Sequence, residues 1–285
     1  LALGRSHRGA RAEELIQFGR DALHVALTLT DDRGERHSCE FGLDRRGGRR
    51  VRVDGQVLAR RSDLVGRLAT VFFWPESVDL VRGGPDLRRR FADQGLSGLD
   101  GAYLRALVAY QRGLRQKSRL LKDLRRGFRD RATAGEELAA WNRDLASHAL
   151  TLGLGRADWA AALQPWAAAG YRELAGNSAG LEFVYRPRLQ ALDPGREAPR
   201  TEAEKVQFQA EILAEFDYIG SEETRRGRPL TGLQFDDFDV RLGDRDLRVY
   251  GSQGETRTAA IALILAQSDV VFQRRRVRPV LFLDD

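Results

Sequence analysis

The segment Tyr250-Gly251-Ser252-Gln253-Gly254-Glu255-Thr256 opens a long helical pattern with an apolar middle, and that pattern runs into Val280-Leu281-Phe282-Leu283 and then Asp284-Asp285. This order of elements constrains the fold more than any other feature of the chain. Two glycines around a serine permit an unusual backbone at a helix start, where exposed amides and the helix dipole favour an anion. An apolar strand that delivers two carboxylates at its carboxyl end places them where open α/β sheets bind ligands. Taken singly, the first element is also what an ordinary serine-capped helix looks like, and the second resembles any buried strand that ends in solvated acids. Their succession points to an α/β architecture with an anion site.

The rest of the chain fills in the layout. Val25, Leu27 and Leu29 alternate with smaller or polar residues, as do Cys39, Phe41 and Leu43, and then Val51 and Val53. Turn signals at residues 31–34 and 46–48 separate these runs, so the spacing predicts an antiparallel meander. Residues 68–73 read as a buried strand ended by Pro75. From residue 85 to about 176 the pattern is helical. Leu104, Leu107, Gln111, Leu114, Ser118 and Leu121 make one stripe. Leu138, Trp141, Leu145, Ala149 and Leu152 make another. The polar stretch 125–135 between them predicts two antiparallel helices joined by a loop. Trp159, Trp166 and Tyr171 fall on a further helical stretch broken at Pro165, as core aromatics. Residues 181–185 return to strand character. Residues 201–219 predict a helix with Thr201 as cap and Glu204 at the capping-box position. Phe238, Val240, Leu242, Leu247 and Val249 alternate around Gly243-Asp244, a hairpin signal. These textures divide the chain into 1–86, 87–177 and 178–285, a split α/β domain with a helical insertion.

Composition excludes several classes. No apolar run is long enough to cross a bilayer, and no signal-peptide pattern opens the chain. Cys39 is the one cysteine, and the four histidines are scattered without metal-ligand spacing. A reducing cytoplasm is therefore the expected location, with no membrane partner. The net charge is +6, and all but three of the 47 basic residues are arginine. Arginine grips phosphate bidentately, which fits a nucleic-acid surface as well as ordinary solvated faces. The sequence has no methionine, even at position 1, so the chain is expected to be part of a longer product.

Tyr250-Gly-Ser-Gln-Gly-Glu-Thr-Arg-Thr-Ala-Ala-Ile-Ala-Leu resembles the signature helix of the RecF family, bacterial recombination mediators related to SMC-type ATPases. Phe282-Leu283-Asp284-Asp285 resembles its Walker B end. Gly4-Arg5-Ser6-His7-Arg8 with residues 15–19, and Val71-Phe72-Phe73-Trp74-Pro75-Glu76 with residues 79–85 and 88–93, extend the resemblance along the chain. The family's Gly-Pro-His-Arg-Asp-Asp motif corresponds to Gly232-Leu233-Gln234-Phe235-Asp236-Asp237, where only the glycine and the acids remain. No GxxxxGK[ST] occurs, so the family's phosphate loop is expected upstream of Leu1.

The resemblance implies an ABC-type P-loop ATPase head with a β meander and a helical lobe. It also implies a site shared by two copies, with ATP and Mg²⁺ as cofactors. Ser252 and the amide of Gly254 would meet the γ-phosphate held by the other copy, with Gln253 and Glu255 shaping the loop. Asp284 would hold Mg²⁺ through water, and Asp285 would be the catalytic residue that polarises the attacking water. Implied partners are RecR, RecO and, functionally, RecA, on DNA duplexes and single/double-strand junctions, with an ATP-dependent homodimer. Two alternatives remain: an SMC-like structural clamp, and a DNA-binding module without hydrolysis. For DNA contact, ten residues between Arg105 and Arg131 are basic against two acids. This singles out Arg115, Lys117, Arg119, Lys122, Arg125 and Arg126. Arg45, Arg46, Arg49, Arg50, Arg52, Arg60 and Arg61 form a second cluster. Neither cluster is interleaved with aromatics, which favours duplex backbone over stacked single strands.

Overall fold

The computed structural model describes residues 12–30, 34–59, 64–176 and 179–284. The chain falls into two compact units, divided between Thr70 and Val71.

In the first unit, β1 (Ala22–Thr30), β2 (Arg36–Asp44), β3 (Arg49–Val53) and β4 (Gln56–Val57) form the expected antiparallel meander, in that order. Phe41 pairs with Val25 on one side and with Val51 on the other, so the alternating apolar residues share one face. Cys39, Val51 and Leu64 are buried there. Asp44 closes the β2–β3 turn by accepting the amides of Arg46 and Gly48 at 2.8 and 2.9 Å. Asp54 and Gly55, both at positive φ, make the β3–β4 turn, for which Asp-Gly is a favoured pair. The segments at residues 4–8 and 31–33, and Arg60 and Arg61, lie outside the described residues.

The second unit runs β5 (Thr70–Phe73), α1 (Asp79–Arg82), α2 (Pro85–Leu99), α3 (Gly101–Arg125), α4 (Arg131–Ala175), β6 (Leu181–Arg186), α5 (Glu202–Tyr218) and α6 (Gly220–Arg226). It continues with β7 (Asp237–Leu242), β8 (Arg245–Asp246), α7 (Leu247–Tyr250), α8 (Gln253–Arg275) and β9 (Val280–Leu283). One hydrophobic core joins residues of α2, α3, α4, α5, α8, β6 and β7. Of the three aromatics expected in that core, Trp159 and Tyr171 are buried and Trp166 is half-buried against it. Phe91 meets Trp159 edge-on at 6.5 Å, and Phe183 stacks on Phe238 at 4.9 Å. Two glycines permit this packing. A Cβ on Gly95 would stand 2.4 Å from the Trp159 ring, and one on Gly155 would stand 2.7 Å from the Tyr103 ring.

Three local expectations are corrected. First, α4 is one helix of 45 residues and does not break at Pro165. Proline removes the hydrogen bond to the carbonyl four residues back, and both Pro165 and Ala161 face solvent, so water can satisfy the released carbonyl. The neighbouring Gln164 anchors the helix to β6, donating to Leu181 O at 2.8 Å and accepting from Phe183 N at 2.7 Å. Second, Leu247 and Val249 lie on the single turn α7 and not on a strand. The Asp246 carboxylate accepts the Arg248 amide at 2.8 Å and starts that turn. Third, among the described residues the strands at 70–73 and 280–283 pair with each other and with no further strand. Val71 alone of these eight residues is buried, while Val280, Leu281, Phe282 and Leu283 are all exposed. Phe72 stacks on Phe282 at 4.9 Å.

Candidate functional site: the start of α8 and the end of β9

Ser252 caps α8, as expected of a serine at a helix start. The Ser252 hydroxyl accepts the Glu255 amide at 3.2 Å, and the Glu255 carboxylate accepts the Ser252 amide at 2.8 Å. This is a reciprocal capping box. Arg245 donates to the other Glu255 oxygen at 3.0 Å. The Ser252 amide, its hydroxyl and Arg245, in that order of importance, hold the Glu255 carboxyl below its ordinary range. Thr256 is buried beneath the turn and donates to the carbonyls of Ser252 and Gln253 at 2.9 and 3.0 Å. Gly251 is needed for close packing, since a Cβ there would stand 2.5 Å from Leu247 O and 2.8 Å from Thr256 Cγ2.

The outer side of the same turn is open. Ser252, Gln253 and Gly254 are exposed, and nothing lies within 4 Å of the place a Gly254 Cβ would take. A helix of 23 residues starts here, with the dipole and first-turn amides that attract phosphate oxygens. Tyr250 and Val249, 68% and 60% exposed, flank the turn with apolar surface.

Asp284 stands exposed at the carboxyl end of β9, its amide donating to Phe73 O at 2.9 Å. Asp285 lies outside the described residues. Along the chain, a 23-residue helix about 34 Å long and a left-handed residue at Arg276 (φ 57) lie between the Ser252 turn and β9.

The basic residues of α3 separate into two groups. Arg115, Arg119, Lys122 and Arg126 are exposed at steps of three and four, so they share one helix face with exposed Arg112. Arg125 is exposed off that line and donates to Arg226 O at 3.2 Å. Lys117 is not available to DNA, which corrects its place among the candidate contacts. It is 2% exposed and pairs with Glu223, itself 1% exposed, at 2.6 Å. In the first unit, Arg45, Arg46, Arg49 and Arg50 are exposed and Arg52 is half-buried. Arg50 and Arg52 share the polar face of the meander with His24 and Glu40, and Glu40 draws off part of that charge by pairing with Arg52 at 3.6 Å.

Sequence reading assigned no role to Asp236 and Asp237, yet they sit in a buried ionic cluster. Asp236 accepts from Arg156 Nη1 at 2.7 Å, the Tyr185 hydroxyl at 2.5 Å and the Arg188 amide at 2.8 Å. Arg156 also forks onto Asp93, at 3.0 Å through both Nε and Nη2. Asp237 is gripped at both oxygens by Arg88, at 2.7 and 3.1 Å. Burial raises the Asp236 carboxyl above its ordinary value, opposed by the Arg156 charge and the three donors. The signal available in sequence was the survival of paired acids in a stretch otherwise unlike the family motif.

No protein-family model matches the chain. A curated relative, the DNA replication and repair protein RecF of Synechococcus sp. (strain JA-3-3Ab), is 33% identical over 288 residues, which take in 100% of this chain and 72% of the relative. Two solved structures of the recombination mediator protein RecF, described as RecF-ATPrS and RecF-ATP in the RecFOR pathway, superpose with TM-scores of 0.89 and 0.87. Both are 24% identical, cover 100% of this chain and are themselves covered over 73% of their length. The superposition establishes the fold, and the identity carried over the whole chain establishes the kinship: the chain belongs to the RecF family of DNA replication and repair proteins.

Proposed function

We propose that this chain is the core of a slow, dimerising ATPase that acts as a recombination mediator on DNA. Its turnover would be timed by assembly of two copies around ATP. The observation that carries the reading is the exposed Ser252 turn at the start of α8, closed on its inner side by the capping box and open outward at Gly254. In this reading Ser252 and the Gly254 amide of one copy bind the γ-phosphate of ATP held on the other. Gln253 and Glu255 shape the turn. The exposed apolar pair Val249 and Tyr250 supplies surface for the second copy. The solved RecF structures that share this fold are described with ATP and ATPrS.

Asp284 would hold Mg²⁺ through water. A single hard carboxylate suits an ion that keeps most of its ligands as water and phosphate, and no group of three or more His, Cys, Asp or Glu residues placed to hold a metal ion occurs among the described residues. When bound, Mg²⁺ offsets the charge that develops on the transferred phosphoryl group. Asp285 would orient and polarise the attacking water. The exposed Arg115, Arg119, Lys122 and Arg126 face of α3, with Arg125 beside it, would contact DNA backbone at duplexes and junctions. RecO and RecR would be the assembly partners, with RecA loading as the outcome, in the cytoplasm.

The test is sedimentation and ATP turnover of the full-length protein. Ser252→Arg should abolish dimerisation in ATP, since its bulk and charge fill the turn. Asp285→Asn should leave a dimer that persists in ATP, because binding is kept and water activation is lost. Two variants that both dimerise and turn over ATP like the parent would refute the reading.

A further inference from the structure

Two sections of chain lead to Gly251 and Ser252, and one buried arginine holds both. The covalent route is β7, β8 and α7, which begins at Asp237. The packed route is α1, which lies against α7 and α8 and whose Arg82 reaches Gly251 O at a long 3.5 Å. Arg88 on α2 is 2% exposed. Its Nε and Nη2 fork onto the Asp237 carboxylate, while its Nη1 points at the carbonyls that end α1, closest to Gly83 O at 2.8 Å. One guanidinium therefore ties the origin of β7 to the end of α1.

Behind this tie, Arg156 joins α4 to α2 through Asp93 and to the residue before β7 through Asp236. Arg89 donates to Asp236 O at 2.6 Å. Three arginines face three aspartates, so the cluster is balanced in charge and each carboxylate oxygen has a donor. A buried cluster of this kind adds little net stability over an apolar core of the same volume. What it does supply is a single geometry, because forked arginine–carboxylate pairs fix angle as well as distance.

We propose that Arg88 and Asp237, backed by the Arg156 cluster, are positioning residues that set the Ser252 turn relative to the body of the second unit. They touch no phosphate, and their influence passes through α1 on one side and β7–α7 on the other. The kinetic part of this inference rests on the proposed role of Ser252; the structural part does not.

The test uses the full-length protein with Arg88→Lys, which keeps the charge and loses the fork, and Asp237→Asn, which keeps the shape and loses the charge. Amide hydrogen exchange is followed in peptides covering residues 247–258 and, as reference, in α3 and α4. Both variants should speed exchange at residues 251–256 by about tenfold while α3 and α4 stay as in the parent, the mark of a local opening. In ATP turnover, kcat/KM for ATP should fall by about tenfold, since the misplaced turn would meet the γ-phosphate less well in the ground state and in the transition state alike. Should Arg88→Lys fail to fold, Asp237→Asn, isosteric and at a partly exposed site, gives the same readings. Exchange that rises alike throughout the unit, or does not change at 251–256, overturns the inference. A parent protein that hydrolyses no ATP would sink the proposed function and leave the exchange result to decide the positioning role alone.

Discussion

Replacing Lys117 by methionine separates a DNA contact from a structural cation. Lys117 Nζ lies 2.6 Å from Glu223 Oε2, with both side chains almost wholly buried. The approach is an ion pair whose direction falls outside hydrogen-bond geometry. The other carboxylate oxygen of Glu223 accepts the Leu230 amide at 2.8 Å, and the ammonium stands 5.2 Å above the Phe216 ring. Methionine matches the stem of lysine in volume, so little cavity forms. The cost is the charge of Glu223 left alone in the core, about 3–5 kcal/mol for a broken buried pair. Lys117→Met with Glu223→Gln removes both charges and keeps the acceptor for Leu230, so the double variant should return to within about 2 kcal/mol of the parent. In urea, followed by tryptophan fluorescence, the single variant should lose roughly 1–2 M in midpoint and the double variant should recover most of it. DNA affinity at a fixed salt concentration should be unchanged in the double variant. A single variant that costs less than about 1 kcal/mol, against the few expected of a buried pair, would refute this reasoning. So would a double variant that is stable yet binds DNA poorly, which would return Lys117 to the DNA surface.

Other outcomes follow from the same structure. Arg115→Ala and Arg119→Ala should each weaken duplex binding without regard to sequence and lower the salt slope by about one, as for the loss of one phosphate contact; an unchanged slope in titrations at several salt concentrations would remove that face from the interface. Gly95→Ala and Gly98→Ala lie on the same helix and should move stability in opposite directions. The first drives a methyl into the buried Trp159 ring and should cost about 1–3 kcal/mol, whereas the second meets open space and should gain about 0.5–1 kcal/mol; thermal melts that shift alike would contradict the packing. The depressed Glu255 carboxyl makes the cap acid-sensitive. Its contribution is complete above the ordinary value of 4.5 and is lost as pH falls through the lower folded value. Exchange at residues 251–256 should therefore open on acidification in the parent and be less dependent on pH in Glu255→Gln.

Much of the layout was legible because it rests on local pattern. Alternation in residues 25–53 becomes the meander, the Thr201/Glu204 spacing becomes a capping box, and the serine at 252 becomes a helix cap. These signals lie within a few residues of one another, so tertiary packing does not have to arbitrate. Pro165 misled because a proline's effect depends on which face it occupies, and facing is set by what α4 packs against. Leu247 and Val249 misled because Asp246 can cap a helical turn as readily as end a strand.

Charge posed a different problem. On α3 the buried positions Tyr103, Ala106, Tyr110, Gly113, Lys117, Leu120 and Leu124 recur at steps of three and four, and Lys117 falls in the middle of that series. The exposed arginines keep the same steps on another face. Counting ten basic residues merged the two sets, and the stripe read from sequence at Leu104, Leu107, Gln111, Leu114, Ser118 and Leu121 could not separate them, because the buried face is centred one residue earlier, on Tyr103, Ala106, Tyr110 and Gly113. The same holds on α2, where three consecutive arginines do three different things. Arg88 is buried in a fork onto Asp237, Arg89 is half-buried and reaches Asp236 O, and Arg90 is exposed 3.9 Å from Asp86. A buried charge needs a partner of opposite sign beside it, and the acids that meet this need lie 63 to 149 residues away in sequence from the arginines they hold. The paired acids at 236 and 237 were therefore visible as a motif, but their partners could be identified only once the fold had brought α2, α4 and β7 together.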